Sequence, residues 1–300
     1  MNTKEAFQKV KTLTGYDSKP MPSAITDPLS FAEDLNIFYA RFDTTNCSEE
    51  CKALLETLPI PEPAHPAPFT VEEVRRQLSR CKPGKAPGPD GIQARVLKEC
   101  AAELAPIMHS LFWESYKTAS VPIFWKTSSI IPVPKKPHPS ELNHYRPVAL
   151  TSIPMKCLEK LVMNILHPVV RPHLDPNQFA YRVKRGTEDA VACLLHSLLQ
   201  HLEASRNFAR LLFIDFSSAF NNIQRHQMIQ KLHHFDVPPL LIHWVHSFLS
   251  DRPQTVRVGT TTSSITITNT GAPQGCVLSP FLFTLYTNDC GLELQKGSER

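Results

Sequence analysis

Twenty-seven of the 300 residues are proline, against an average share of about 5%, and their placement divides the chain. Five fall at positions 59, 61, 63, 66 and 68, in PIPEPAHPAP. A run of this density favours extended polyproline geometry and behaves as a semi-rigid spacer. It marks residues 59–70 as a linker between an N-terminal extension, 1–58, and a larger unit, 71–300. The extension is expected to be partly helical, because SFAEDLNIFYARF sets Phe31, Leu35 and Phe38/Tyr39 at helical spacing. Glycine is scarce, at 10 residues, while hydrophobic residues make up 42% and charged residues 20%. That balance excludes collagen and low-complexity chains and fits a globular protein. No stretch reaches the ~20 apolar residues of a membrane span, and the amino terminus has no signal-like apolar run. The expectation is a soluble intracellular protein with no membrane partner, nucleus and cytoplasm being left open.

Downstream of the linker, Thr70 and Glu73 form a capping box ahead of Val71, Val74 and Leu78, so a helix starts near 71. Leu97, Ala101, Leu104, Met108, Leu111, Phe112 and Tyr116 trace a long helix with a kink expected at Pro106. SSIIPVPKK (128–136) reads as an edge strand, since its prolines disfavour a central one, and HYRPVALTS (144–152) as the strand that returns beside it. Leu158, Leu161, Val162, Ile165 and Val169 define a further amphipathic helix. Thr187 is placed as the cap of another, whose apolar face is Val191, Leu194, Leu195, Leu198 and Leu202. The apolar run Leu211 to Ile214 reads as a strand buried on both faces that delivers Asp215 at its end. Helices near 225–234 and 239–249 precede a hairpin, QTVRVG with SITITN, and the turn GAPQG leads into a last apolar helix. Helices interleaved with short strands give an α+β class.

A carboxylate at a strand end has two readings, a capping or loop charge and a ligand for Mg²⁺. Gly84-Lys85-Ala86 lacks the hydroxyl of a P-loop and is set aside. The eight cysteines contain no CxxC pair, so neither a disulfide framework nor a zinc site at Cys47, Cys51 and Cys81 is favoured. Helical periodicity scatters His233, His234, His243 and His246 over polar faces, which argues against a metal cluster. The net charge of +4 suits a polyanionic partner without requiring one.

Six blocks, in order, resemble the reverse transcriptases of non-LTR retrotransposons, the long interspersed elements. They are GKAPGPDGI (84–92), VPIFWKTSSIIPVPKK (121–136), YRPVALTS (145–152), QFAYRVKRGTEDAV (178–191), LLFIDFSSAFN (211–221) and GAPQGCVLSPFLFTLYTND (271–289). Together they span about residues 71 to 290.

The resemblance implies fingers and an incomplete palm of a right-hand polymerase, with a helical N-terminal extension. It also implies two-metal nucleotidyl transfer onto a DNA primer from an RNA template and dNTP substrates. Asp215 would be catalytic and would hold Mg²⁺ with the backbone carbonyl of Phe216. Lys135 and Arg146 would take the triphosphate, the alternative being a solvated basic face, more so for Lys135 than for Arg146, and Gln274 and Gly275 would floor the nucleotide pocket. Phe216, Ala219 and Phe220 would line it, Phe220 excluding a ribose 2′-hydroxyl, although plain core packing is an alternative for that ring. Lys136, Arg182, Lys184 and Arg185 would contact nucleic acid, or form an ordinary solvated surface. The family's second acidic contribution is an aromatic-x-Asp-Asp hairpin, and this sequence contains no Asp-Asp pair. Asp289 is the nearest surrogate and reads better as a helix-terminal residue. The expectation is a polymerase domain cut short of that hairpin and inactive alone, the alternative being a catalytically dead remnant that binds RNA or DNA non-specifically.

Overall fold

A computed structural model describes residues 27–44, 46–60, 67–203, 208–216 and 218–290. The first 26 residues of the expected extension and residues 61–66 of the proline-rich segment lie outside that set. In chain order the helices are α1 (Pro28–Ala40), α2 (Ser48–Glu56), α3 (Val71–Ser79), α4 (Ala94–Glu99), α5 (Ala101–Lys117) and α6 (Ile123–Lys126). They continue with α7 (Ile153–Val170), α8 (Thr187–Glu203), α9 (Arg225–His234), α10 (Pro239–Leu249) and α11 (Leu278–Tyr286). The strands are β1 (Ser128–Pro134), β2 (Tyr145–Thr151), β3 (Arg252–Val258), β4 (Thr261–Thr262) and β5 (Thr266–Thr268).

β1 and β2 form an antiparallel ribbon from Ser128 opposite Thr151 to Pro134 opposite Tyr145. β1 also runs parallel to β3, pairing Ser128–Ile130 with Gln254–Val256. The sheet order is therefore β2-β1-β3-β4, with β5 also on β3, and β1 is internal rather than the edge strand its prolines suggested. The proline rule survives locally. Pairing with β3 stops at Ile130, before Pro132 and Pro134, so neither ring occupies a position where a ladder donor is needed on that side.

Asp27 caps α1 by accepting from the Leu29 N–H at 2.9 Å, and Pro28 occupies the first helical position, where no donor is needed. Ala32, Leu35 and Tyr39 of α1 are buried against Ile130, Tyr145, Val256 and Val258 of the sheet. Asn36, wholly buried among them, donates to the Ser264 carbonyl and to Thr266 Oγ1 and accepts from Gln254. The larger core joins α3, α5, α7, α9, α10 and α11 around Phe112, Leu158, Leu161, Met228 and Trp244. Truncating one such residue, Phe112 to Ala, removes contacts worth ~3–5 kcal/mol. The capping box at Thr70 and Glu73 is present, the Thr70 N–H donating to the Glu73 carboxylate at 2.7 Å.

Four local expectations are corrected. The long helix of 94–117 is broken at Cys100, whose ψ of 29° leaves the helical region, while Pro106 stays inside α5. Thr187 is the first helical residue rather than the cap, and Asp189 reaches back to accept from the Gly186 N–H at 2.7 Å. None of the side chains of α8 is buried. The run Leu211 to Ile214 is exposed, with Phe213 79% accessible, and has no strand assignment. No strand among the described residues pairs with it, so its backbone groups gain no ladder and its side chains no opposing layer.

Candidate nucleotide and nucleic-acid site

Two backbone hydrogen bonds assemble the site. The Ala149 N–H of β2 donates to the Gln274 carbonyl at 2.8 Å, and the Ala272 N–H donates to the Phe220 carbonyl at 2.8 Å. One short segment, Gly271 to Gly275, thus ties the Phe220 turn on one side to β2 on the other. Glycine is required at both ends. A Cβ on Gly271, at φ +77°, would lie 2.7 Å from Asn221 Cα, and one on Gly275, at φ +133°, 2.5 Å from the Ala149 carbonyl oxygen. Gln274, Ala149 and Asn221 line one small cavity of about 50 Å³ with Arg252 and Asp43.

The segment is anchored from behind by Glu159 of α7. Its Oε2 accepts from the N–H groups of Val277 at 2.6 Å and Leu278 at 2.8 Å, at the start of α11. Those donors have no intrahelical acceptor, and a carboxylate suits the positive end of the helix. Glu159 is fully buried and its Oε1 has no partner. Burial pushes its carboxyl up to about 7, against the opposing effect of the two N–H bonds.

Sequence-derived residues fall into groups. In the β1–β2 register Val133 faces Arg146, and the Lys135 N–H bonds the His144 carbonyl two pairs further out, past Pro134 and Tyr145. Lys135 and Arg146 therefore stand on the same face of the ribbon, both exposed. The Lys135 ammonium donates to the Asn143 carbonyl at 2.7 Å, while Lys136 is exposed beside it. Phe220 packs its ring on Phe283, centroids 5.3 Å apart, and edge-on to Tyr181 at 6.5 Å. Phe216 meets the same Phe283 at 6.0 Å, and with Ala219 it lines a cavity of about 200 Å³. Phe216, Ala219 and Phe220 thus gather around one ring, and Gln274 and Gly275 reach them through Ala272.

Asp215 is exposed, and no hydrogen bond or ion pair of its side chain is present among the described residues. Arg182 donates to the carbonyls of Asp175 at 2.8 Å and Gln178 at 3.3 Å. Arg185 donates to that of Pro176 at 2.7 Å and lies over the Phe179 ring. Both arginines brace their own loop, and Lys184, at φ 58°, is exposed beside them. Asp289 follows α11 and is ion-paired with Lys231, the helix-terminal role its position suggested.

Sequence reasoning missed a second set of cations. Arg80, Lys82, Lys85, Lys156 and Lys160 line a cavity of about 390 Å³ bounded by Val148 and Gly275. None of the five is ion-paired among the described residues. Lys82 and Lys85 were visible in KPGKAPGPDG, and Gly88 is the reason that segment reaches the site. A Cβ there would meet the Ser152 nitrogen at 2.6 Å, so the loop lies against the end of β2. Lys156 and Lys160, four apart on α7, carried no sequence signal beyond a helical polar stripe.

The described residues do not gather a metal centre: no group of three His, Cys, Asp or Glu side chains among them is placed to hold an ion. One exposed aspartate supplies too little charge for a pair of dications.

An α+β chain with a Pro-Gln-Gly turn stitched between a strand pair and an aromatic turn is consistent with a polymerase-like fold. The comparison with known families settles its class: residues 133–298 match the family described as Reverse transcriptase (RNA-dependent DNA polymerase), and the chain belongs to that family. Its curated relatives include RNA-directed DNA polymerases of mobile elements, and within the family the chain is of the long interspersed element type. It is 29% identical over 256 residues to the RNA-directed DNA polymerase from mobile element jockey of Drosophila funebris, covering 83% of this chain and 28% of that protein. It is 28% identical over 265 residues to the probable RNA-directed DNA polymerase from transposon BS of Drosophila melanogaster, covering 86% and 29%. It is 27% identical over 266 residues to the retrovirus-related Pol polyprotein from type-1 retrotransposable element R1 of Bradysia coprophila, covering 87% and 25%. The chain thus spans between 25% and 29% of the length of these relatives. The family generally uses divalent metal ions. No helix among the described residues is long and apolar enough to cross a membrane.

Proposed function

We propose that residues 71–300 form the fingers and part of the palm of a retrotransposon RNA-directed DNA polymerase. Residues 59–70 act as the linker and 1–58 as an extension, part of which, α1, lies on the sheet. The observation that carries the reading is the pair of backbone bonds from Ala149 to Gln274 and from Ala272 to Phe220. They tie β2, the Pro-Gln-Gly segment and the Phe220 turn to one another, which supports reading the three as parts of one nucleotide pocket. In this reading Lys135 and Arg146 take the triphosphate of a dNTP, Arg with its planar fork and Lys as a point charge. Gln274 and Gly275 support the base, and Phe216, Ala219 and Phe220 face the sugar. Asp215 and the carbonyl of Phe216 are the residues of this chain that would ligate Mg²⁺.

RNA template and DNA primer are held by Lys136, Arg182, Lys184 and Arg185, and the five cations around Lys156 extend that surface. The protein works inside the cell. Photolabelling with 8-azido-dATP tests the pocket without requiring turnover. Adducts on the peptides carrying Phe220 and Gln274, competed by dTTP, are the expected result. Adducts confined to other peptides refute it.

A second reading, a module that binds RNA or DNA without catalysis, is favoured by one observation, the five cations lining a cavity with no ion-pair partner among the described residues. It is distinguished by nucleic-acid binding that persists when dNTP labelling is absent.

A further inference from the structure

The Sγ atoms of Cys81 and Cys157 lie 3.7 Å apart, on chain segments 76 residues distant in sequence. Cys81 follows α3, and Cys157 sits in the second turn of α7. Both line the cation-rich cavity of about 390 Å³, which gives solutes a route to two otherwise buried thiols. From this geometry we propose that Cys81 and Cys157 are a reversible redox modification site that closes to a disulfide under hydroperoxide. No step of the polymerase reading involves either sulfur.

The two thiols are inequivalent. Cys81 is the more accessible, at 8% against 1% for Cys157, so it is the sulfur that meets the oxidant. The hydrogen bond from the Cys157 thiol lowers the Cys81 thiol from its usual range, and Lys160 adds to that effect. Cys157 is held above its usual range by the same bond and by burial. A thiolate beside cations is the reactive form of cysteine. The Cys81 thiolate attacks one peroxide oxygen, the O–O bond breaks, and the departing hydroxide is protonated to water, leaving Cys81 as the sulfenic acid. The Cys157 sulfur then attacks the Cys81 sulfur. The S–S bond forms, the sulfenic oxygen leaves as a second water, and it takes the Cys157 proton. Two thiols and one hydrogen peroxide become one disulfide and two waters, a two-electron oxidation. The product staples the end of α3 to α7.

Cys47 and Cys51 provide an internal contrast. Their sulfurs are nearly as close, at 3.8 Å, but both belong to the start of one helix, and burial pushes the Cys51 thiol upward. Proximity is shared by the two pairs, whereas the cation-lined opening belongs to Cys81 and Cys157 alone.

The test treats the reduced 300-residue chain with hydrogen peroxide at pH 7, alkylates it and maps its peptides. The expected product is a dithiothreitol-reversible Cys81–Cys157 cross-linked peptide, formed before any Cys47–Cys51 link. Cys157→Ser should stop the reaction at the Cys81 sulfenic acid, captured as a single dimedone adduct, and Cys81→Ser should leave Cys157 unmodified. Direct passage of wild-type Cys81 to sulfinic acid, or pairing of Cys81 with another cysteine, would overturn the proposal. So would a Cys81 that reacts no faster than the exposed Cys100. Circular dichroism of each variant before oxidation confirms that the comparison is made on folded protein.

Discussion

Replacing Glu159 by glutamine should change the pH dependence of stability more than stability itself. In the folded chain the Glu159 carboxyl titrates at about 7, against an ordinary value of 4.5, because it is fully buried. Between those values the folded state binds the proton that the unfolded chain has released. Its contribution is therefore full below pH 4.5 and is lost as pH rises to about 7. At ~1.4 kcal/mol per pKa unit, the swing is about 3 kcal/mol. His246 acts in the opposite sense. Burial, with Arg225 nearby, depresses its imidazole to about 4 from 6.5, so the unfolded chain binds more protons in that window and stability rises with pH. Allowing for its partial exposure, that rise is about 2 kcal/mol. The two slopes oppose one another between pH 4.5 and 6.5, and the wild-type curve should be nearly flat there.

Glutamine keeps an oxygen for the Val277 and Leu278 donors but places an NH₂ where Oε1 has no partner. The cost is about 1 kcal/mol. At pH 5 Glu159→Gln should be the less stable protein by about that amount. At pH 8, where the wild type has to ionise its buried carboxyl, the order should reverse. The variant should also expose the His246 rise that the wild type masks. Glu159→Ala orphans both N–H groups and opens a cavity, so it should lose about 3–5 kcal/mol at pH 5. Urea titrations followed by tryptophan fluorescence at half-unit steps from pH 4.5 to 8 measure all three. A glutamine variant that runs parallel to the wild type across the series would falsify the assignment of the slope to Glu159.

Three further outcomes follow from the site. Gly275→Ala should cost about 2 kcal/mol, because its Cβ would stand 2.5 Å from the Ala149 oxygen at a φ of +133°; a denaturation midpoint equal to wild type would show that the turn relaxes freely. Changing Lys82 and Lys85 to Gln should weaken binding of an RNA–DNA hybrid and reduce the log–log salt slope by about 1–2, read by anisotropy from 50 to ~300 mM KCl; an unchanged slope would mean that neither lysine meets phosphate. The chain alone should leave an oligo-dT primer unextended on poly-A with Mg²⁺, since each 1.4 kcal/mol of lost charge stabilisation costs about tenfold in rate, and labelled dTTP incorporation that disappears in Asp215→Asn would reverse that expectation.

What could be read from the sequence divides according to where the determining partner lies. The capping box at Thr70, the helices at 225–234 and 239–249, the β1–β2 ribbon and the hairpin after β3 depend on neighbours a few residues away, and all are present. The placement of β1 inside the sheet depends on β3, more than a hundred residues later, and the proline rule pointed to an edge. Lys156 and Lys160 escaped notice for the same reason: only the fold turns a polar helical stripe into the wall of a cavity with Arg80 and Lys85.

The apolar stretch before Asp215 sharpens the point. Leu211, Leu212, Phe213 and Ile214 are 49–79% exposed, and Leu194, Leu195, Leu199 and Leu202 of α8 are open as well. Hydrophobic periodicity specifies that such residues gain free energy by burial, roughly 25 cal/mol per Å², but it does not carry the identity of the covering surface. Folded proteins rarely leave contiguous exposed apolar residues without a role, and no described strand pairs with the apolar patch at Leu211 to Ile214. Asp215 sits at the end of that patch. Its position is therefore the part of the candidate site that depends most on a covering layer, whereas Gln274, Gly275 and Phe220 are fixed by hydrogen bonds and packing internal to the described chain. An Asp215 variant and a Gly275 variant should accordingly separate two properties: Asp215→Asn should leave the denaturation midpoint within about 0.5 kcal/mol of wild type, as an exposed site does, while Gly275→Ala should not.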